Sequence, residues 1–405
     1  MEFLRIVDDL STSADESELS NMVRYAVKHE LTDYDIAHLA DKLANSGTRL
    51  KHLPKNGLDI ASTGGPSSLS TLLTPLFLRL MNRVVPKLGI PGRPAGGIDV
   101  LATIPNYRIH LQPSEVVGCL KKCGYVHFVV DEDYAPLDAR IFAVRQRLGA
   151  QASVPLVIAS LLAKKLVVGL KEVGLDIRVG PDNNFGISFC QARLNARRFC
   201  SVARILGTKA TCILTDGSRP YQPLIGRGES LVALNQLFEE NAGPWLQKHI
   251  VQCWNLATEL TGYSREPLPS GSEIKSIFAS NLGAQGSSLD AFHNRVSEVI
   301  GHPRFSLLAK SSGWVLVKLG IIRAILVEIQ QTYPDHEGGF SDPIGVQLLV
   351  NTGGYVEENE KVVIVRAPEY LHGNLKHRLS SAIEIVNHPI PALQENPWEV
   401  ISDGE

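Results

Sequence analysis

Residues 57–71 read GLDIASTGGPSSLST, and this stretch decides the fold class. Gly57 to Ala61 is a short apolar run of strand type, Ser62-Thr63-Gly64-Gly65 is a turn, and the serines of PSSLST predict the cap of a helix starting near residue 69. Strand, glycine turn and helix in direct succession are the grammar of an α/β protein. The same grammar recurs downstream. Strand candidates lie at 125–131, 174–179 and 210–215, and helix candidates at 69–82, 114–123, 154–168 and 190–206. A second glycine pair, Gly96-Gly97, follows another strand and precedes IDVLATIP. The alternation predicts a mainly parallel sheet with helices on both faces. Upstream, residues 17–46 read as helices, with Thr32 as an N-cap and Gly47 as a stop. Residues 262–312 are rich in Ser, Gly, Pro and polar residues and predict an extended loop or crossover. From Gly313 a third block begins: a helix in LVKLGIIRAILVEIQ, two short β runs around the NTGG and EEN turns, and a closing helix near 374–386.

The second informative stretch is Arg145 to Lys165, RQRLGAQASVPLVIASLLAKK. Ser160 and Lys164 stand four apart in a predicted helix and share one face, with Arg145 fifteen residues earlier. A guanidinium, a hydroxyl and an ammonium in one cleft suit a flat ligand edged with carbonyl oxygens. The same spacing also fits a surface arginine, a helix serine and a snorkelling lysine. Against that, Val154, Leu156, Val157, Ile158, Leu161, Leu162 and Leu166 make the helix apolar nearly all round, the mark of a buried helix. A lysine on such a helix needs a partner or a task.

A chain of 405 residues with 44% hydrophobic content has room for two or three domains and a large core. A net charge of −2 gives no electrostatic case for nucleic acid or a membrane surface. The acidic N-terminus has no signal-type apolar core, and no apolar run reaches membrane-spanning length. The six cysteines show no CxxC pair and no metal spacing, so they read as reduced thiols of a cytoplasmic protein. The scattered histidines stand beside no serine or cysteine in a nucleophile motif, and no triad is assigned. The glycine turn at Ser62, Thr63, Gly64 and Gly65 has amides and a helix N-terminus suited to an anion, though a TGG turn alone is a weak signal.

Together these motifs resemble the pyrimidine-nucleoside phosphorylase family, of the thymidine phosphorylase type. The family's lysine-histidine-serine-threonine-glycine-glycine stretch is matched by Ile60-Ala61-Ser62-Thr63-Gly64-Gly65. Its second glycine segment is matched by Gly96-Gly97-Ile98-Asp99 through Ile104-Pro105. Its base-holding arginine, serine and lysine fall on Arg145, Ser160 and Lys164 with spacing preserved, followed by Lys165. Asp176-Ile177-Arg178-Val179-Gly180, Leu214-Thr215-Asp216, Gly313-Trp314-Val315 and Gly345-Val346-Gln347-Leu348-Leu349 resemble further family segments, and the likeness spans roughly residues 30–390.

The resemblance implies a small all-helical, base-binding domain (1–52 and about 136–168), a large α/β phosphate-loop domain (53–135 and 169–305) and a C-terminal α+β lobe (306–405). It also implies a homodimer, and a reaction without metal or organic cofactor. The substrate would be a pyrimidine nucleoside or nucleotide, with phosphate attacking C1′. Arg145 and Lys164 would stabilise charge on the leaving base while Ser160 orients the ring, and Ser62, Ser70, the glycine loop and Gly96-Gly97 would meet phosphate.

The departures fall on the phosphate half. Ile60 and Ala61 replace the lysine and histidine, the threonine after the second glycine pair is missing, and Pro66 removes an amide donor. Three readings follow: pentosyl transfer to an altered acceptor, with Arg93, Arg108 or Lys87 supplying the missing charge; nucleoside binding without turnover; or hydrolysis by water.

Overall fold

A computed structural model describes residues 2–50, 55–92, 96–182, 185–263, 267–333, 340–391 and 397–402. The chain opens with helices α1 (Glu2–Asp9), α2 (Glu16–Lys28) and α3 (Asp33–Ala44). Reciprocal capping boxes start two of them, Asp15 with Glu18 on α2 and Thr32 with Asp35 on α3. The α/β part continues with β1 (Asp59–Ser62), α4 (Ser70–Leu80), β2 (Val85–Gly89), α5 (Gly97–Leu101), α6 (Pro113–Cys123) and β3 (Tyr125–Val129). Then come α7 (Pro136–Arg147), α8 (Val154–Val167), β4 (Glu172–Val179), α9 (Phe189–Ile205) and β5 (Lys209–Asp216). Next are β6 (Leu224–Ile225), α10 (Arg227–Phe238), α11 (Pro244–Thr261), α12 (Gly271–Ala284) and α13 (Leu289–Gly301). The chain closes with β7 (Arg304–Leu308), β8 (Gly313–Val317), α14 (Leu319–Thr332), β9 (Gly345–Leu348), β10 (Tyr355–Val356), β11 (Lys361–Arg366), α15 (His372–Ser380), β12 (Ile383–Val386) and β13 (Trp398–Ser402).

The fold is α/β. One sheet runs β1-β4-β5-β13; its first three strands are parallel, and β13 closes the edge antiparallel to β5. Strands β2 and β3 form a parallel pair that approaches this sheet through a bridge between Gly57 and Val84. Two antiparallel sheets, β6-β9-β11-β7 and β10-β8-β12, make the C-terminal α+β part, which has its own apolar core around Leu326, Val346 and Val365. Helix α8 packs on α3 and α7 on α2, although more than a hundred residues separate them in the chain. The apolar circumference of α8 explains this arrangement. From Leu156 to Val167 almost every side chain is buried, which takes the helices α2, α3 and α9 and the strand β2 packed around it. Residues 51–54, where the first domain boundary was placed, lie outside the described residues.

Two sequence expectations need correction. Residues 262–312 are not an extended loop or crossover, because α12 and α13 occupy most of them. Ser270 and Glu273 form a capping box, and Ser288 caps α13. Ile274, Phe278 and Leu282, spaced four residues apart, make a stripe that buries against Phe238 and Phe292. The polar residues that obscured this periodicity are the solvent side of two amphipathic helices. The closing helix also stops at Ser380 rather than continuing to 386. Ile383, Ile385 and Val386 are β-branched, and they pair with β8 as β12. Among the described residues no helix is long and apolar enough to cross a membrane.

Candidate functional site

The set Arg145, Ser160 and Lys164 is carried by α7 and α8. Both helices carry a proline in the first turn, where the lost amide costs nothing. Asp138 and Arg145 stand seven residues apart on α7, two turns on one face, and Ser160 and Lys164 one turn apart on α8. The structure brings Ser160 and Lys164 onto Asp138. Ser160 Oγ donates to Asp138 Oδ2 at 3.1 Å, and Lys164 Nζ donates to the same oxygen at 3.0 Å and to Ser160 Oγ at 2.8 Å. All three are buried, and Asp138 Oδ1 has no hydrogen-bond partner among the described residues. Burial pulls the Lys164 ammonium below the usual lysine range, and Asp138 opposes that pull. Arg145 is also buried. Its guanidinium donates to the carbonyls of Gln151 at 3.0 Å, Leu156 at 3.3 Å and Ala150 at 3.4 Å, which fastens the α7–α8 turn to the first turn of α8. Sequence reading missed Asp138. Its signal was its place two turns before Arg145 on an otherwise apolar interface.

The glycine loop is different. Side chains alternate along β1, so Ile60 and Ser62 share one face while Asp59 and Ala61 share the other. Ile60, where the family's lysine would stand, is a core residue packed with Ile213 and Leu256. Parallel pairing of Ser62 with Asp176 puts Asp176 and Arg178 on the Ser62 face. Arg178 fills the inside of the loop. Its Nε donates to Asp176 Oδ2 at 3.1 Å, and its Nη2 donates to the same oxygen at 2.8 Å and to Ser70 Oγ at 2.6 Å. Its Nη1 donates to the carbonyls of Gly64 and Gly65. Ser70 in turn donates to Asp176 Oδ2 at 2.7 Å, so its hydroxyl is engaged as donor and as acceptor. Gly64 and Gly65, at φ 114° and 107°, adopt a backbone open to glycine but strained for other residues.

The loop's amides are largely spent inside the protein. Gly64 N–H donates to Ser62 Oγ at 3.3 Å, Thr63 N–H to the Asp176 carbonyl at 3.0 Å, Ser70 N–H to Ser68 Oγ at 3.1 Å and Leu69 N–H to His249 Nε2 at 2.9 Å. Thr63 Oγ1 accepts from the Arg178 amide. His249 stacks on Tyr221 with ring centroids 5.2 Å apart, and Tyr221 lies under the Arg178 guanidinium. Burial pulls the His249 pKa down to about 4, so the ring is neutral and free to accept from Leu69. The second glycine pair opens α5. A Cβ on Gly97 would sit 2.8 Å from both the Thr71 carbonyl and the His127 ring, so close packing requires glycine there. Gly96 precedes it as the N-cap.

The three cations proposed to replace the family's lysine fare unequally. Arg93 lies outside the described residues. Arg108 is exposed and paired with Glu115. Lys87 is buried, but it points to the other face of β1, with Nζ 2.8 Å from Asp59 Oδ1; Lys165 takes the second Asp59 oxygen. Those two ammonium groups hold the Asp59 carboxyl below the usual range against the effect of burial. The cation at the loop is Arg178, flagged in sequence only by an Asp-x-Arg strand. No cluster of His, Cys, Asp or Glu suited to a metal occurs among the described residues.

No family model matches the chain. It is 27% identical to a thymidine phosphorylase of Agrobacterium fabrum over 328 residues, which covers 76% of this chain and 74% of that protein. It is 24% identical to a pyrimidine-nucleoside phosphorylase of Staphylococcus haemolyticus over 379 residues, which covers 88% of this chain and 85% of the relative. Among solved structures, an anthranilate phosphoribosyltransferase from Saccharomyces cerevisiae in complex with PRPP and Mg superposes with a TM-score of 0.49 at 13% identity, covering 73% of this chain and 91% of that one. With such relatives spanning most of its length, the chain is similar to thymidine phosphorylases and pyrimidine-nucleoside phosphorylases at 24–27% identity.

Proposed function

We propose that the protein catalyses pentosyl transfer at the N-glycosidic bond of a pyrimidine nucleoside or nucleotide, with inorganic phosphate a poor acceptor. The observation that carries this reading is the convergence of Ser160 and Lys164 on Asp138, with one carboxylate oxygen left over, inside a buried helix pair. A pyrimidine ring offers carbonyl acceptors to a lysine ammonium and a ring N–H to a carboxylate. As the bond from C1′ to the ring nitrogen breaks, negative charge gathers on the base. Lys164, with Arg145 beside it, stabilises that charge more in the transition state than in the ground state. Ser160 orients the ring. This chemistry requires neither metal nor organic cofactor. The homodimer and the cytoplasmic setting implied by the resemblance belong to the same reading.

Poor use of phosphate follows from the other half of the site. The family's cation position is core, and most loop donors are spent internally. A dianion desolvated without new donors is costly. The same observation favours a second reading, binding of a pyrimidine nucleoside without turnover. A panel of uridine, thymidine and their 5′-phosphates, incubated with phosphate, arsenate or neither, separates the two. Release of free base that is slow and insensitive to phosphate means that the pentosyl group passes to water, the acceptor then present, and supports turnover with phosphate a poor acceptor. Binding without any release supports the second reading, and brisk phosphate-dependent release overturns both.

A further inference from the structure

We propose that Arg178 is a specificity-determining residue: an internal guanidinium that occupies the glycine loop in place of an oxyanion and keeps inorganic phosphate out. The proposal rests on the functional reading above for the location of the acceptor side, and it adds the residue responsible. A guanidinium has five N–H donors. Those of Arg178 meet Asp176 Oδ2 twice, Ser70 Oγ, and the carbonyls of Gly64 and Gly65. None remains for a ligand. The charge is equally spent, because Asp176 lies at salt-bridge distance, 2.8 Å, with both side chains buried.

The direction of the loop's dipoles matters more. An anion-binding loop turns its amides inward. Here the carbonyls of Gly64 and Gly65 turn toward Arg178, and the amide of Gly64 turns to Ser62 Oγ. The loop is therefore set to receive a cation, and its own chain supplies one. Ser70, the helix N-terminal hydroxyl that would meet a phosphate oxygen, is closed by the same group. The Tyr221 ring lies against the guanidinium, His249 stacks on Tyr221, and His249 takes the Leu69 amide. For phosphate to enter, Arg178 must leave two carbonyls, a hydroxyl and a buried carboxylate together.

The test is calorimetric titration of inorganic phosphate into the full-length protein and into Arg178→Lys, with uracil titrated into both. A lysine keeps the charge beside Asp176 but cannot span the carboxylate, Ser70 and both carbonyls at once. The parent should show no saturable phosphate binding at millimolar concentration. Arg178→Lys should bind phosphate at least about tenfold better, the scale of one charge-assisted hydrogen bond. Saturable binding by the parent that Arg178→Lys loses would make Arg178 an anion ligand and overturn the proposal, as would an Arg178→Lys variant that binds no better than the parent. Should the variant fail to fold, the parent decides alone. The amide resonances of Gly64 and Gly65 and the Arg178 Nε–H should be unmoved by phosphate, and a saturable shift overturns the proposal. Uracil binding keeps the two readings apart. A parent that fails to bind uracil removes the functional reading and leaves the phosphate result standing.

Discussion

The two halves of the site use buried charge in opposite ways. Between α7 and α8, one carboxylate serves a hydroxyl and an ammonium and still has an oxygen to spare. At the glycine loop, one guanidinium and one carboxylate are fully committed to each other, to Ser70 and to the loop carbonyls. Lys164 and Arg145 also donate inside the protein, so what the first arrangement leaves over is an acceptor, Asp138 Oδ1, whereas the second has used both its cation and its carboxylate oxygen Oδ2 on itself. The comparison teaches that a motif's residues can survive while their hydrogen bonds are turned inward. Ser62, Thr63, Gly64, Gly65 and Ser70 are all present, yet their hydrogen bonds are internal. Ser160 and Lys164 sit on one helix, where the i, i+4 spacing holds them in place whatever happens at the loop.

The largest effect that would break this comparison is on the base side. Asp138→Ala leaves the Lys164 ammonium buried without its carboxylate, and loss of one partner from a buried pair costs about 3–5 kcal/mol. Urea unfolding at neutral pH should show that loss. A change within about 0.5 kcal/mol, the usual size for a surface substitution, would mean that water reaches Lys164 and that the site is not buried as described.

A somewhat smaller effect is expected at the loop and depends on pH. Burial holds His249 neutral, with its pKa at about 4 in the folded chain, against about 6.5 in the unfolded one. Between those values the unfolded chain binds more protons, so stability falls as pH drops from about 6.5 to about 4, by on the order of 3 kcal/mol in all. Protonation also removes the acceptor for the Leu69 amide at the start of α4. His249→Gln keeps an acceptor without a titrating group and should flatten this part of the stability profile. An unchanged slope would assign the acid sensitivity elsewhere, for example to the Asp59 cluster. That carboxyl is held low by Lys165 and Lys87, so its contribution is lost only at more acid pH, as the solution falls through its folded pKa.

The smallest of the three sharpens the contrast in ligand capacity. Lys164→Ala should weaken uracil or thymine binding by roughly 1.5–3 kcal/mol, as loss of a charged hydrogen bond does. Calorimetry on the folded variant is the check, and binding equal to the parent's would place the base elsewhere.

Much of this was legible in the sequence, and the limits of legibility follow the range of the interactions. The strand–glycine turn–helix order, the cap at Thr32 and the Ser160–Lys164 spacing are local, set by backbone preference and helical period over a few residues; the serine cap expected in PSSLST is not, because Leu69 holds the N-cap of α4 without a side-chain bond and its amide goes to His249. The segment 262–312 misled because its helices carry dense polar faces, and their apolar stripes show meaning only against Phe238. Asp138 acquired its role from a helix 22 residues on, at Ser160, and Arg178 from Ser70, 108 residues away.

The sequence by itself determined the α/β class, the two glycine segments, the apolar α8 with its lysine, and the likeness to pyrimidine-nucleoside phosphorylases. The tertiary structure alone decided which cation enters the glycine loop, that Ile60 is core, that Lys87 faces Asp59 instead, and that the loop turns its carbonyls inward. The physical reason is that a buried charge takes whatever partner the packed chain brings within hydrogen-bond distance. That choice is made between segments far apart in the chain, from 28 residues for Lys87 and Asp59 to 108 for Arg178 and Ser70, where sequence spacing carries no information about distance.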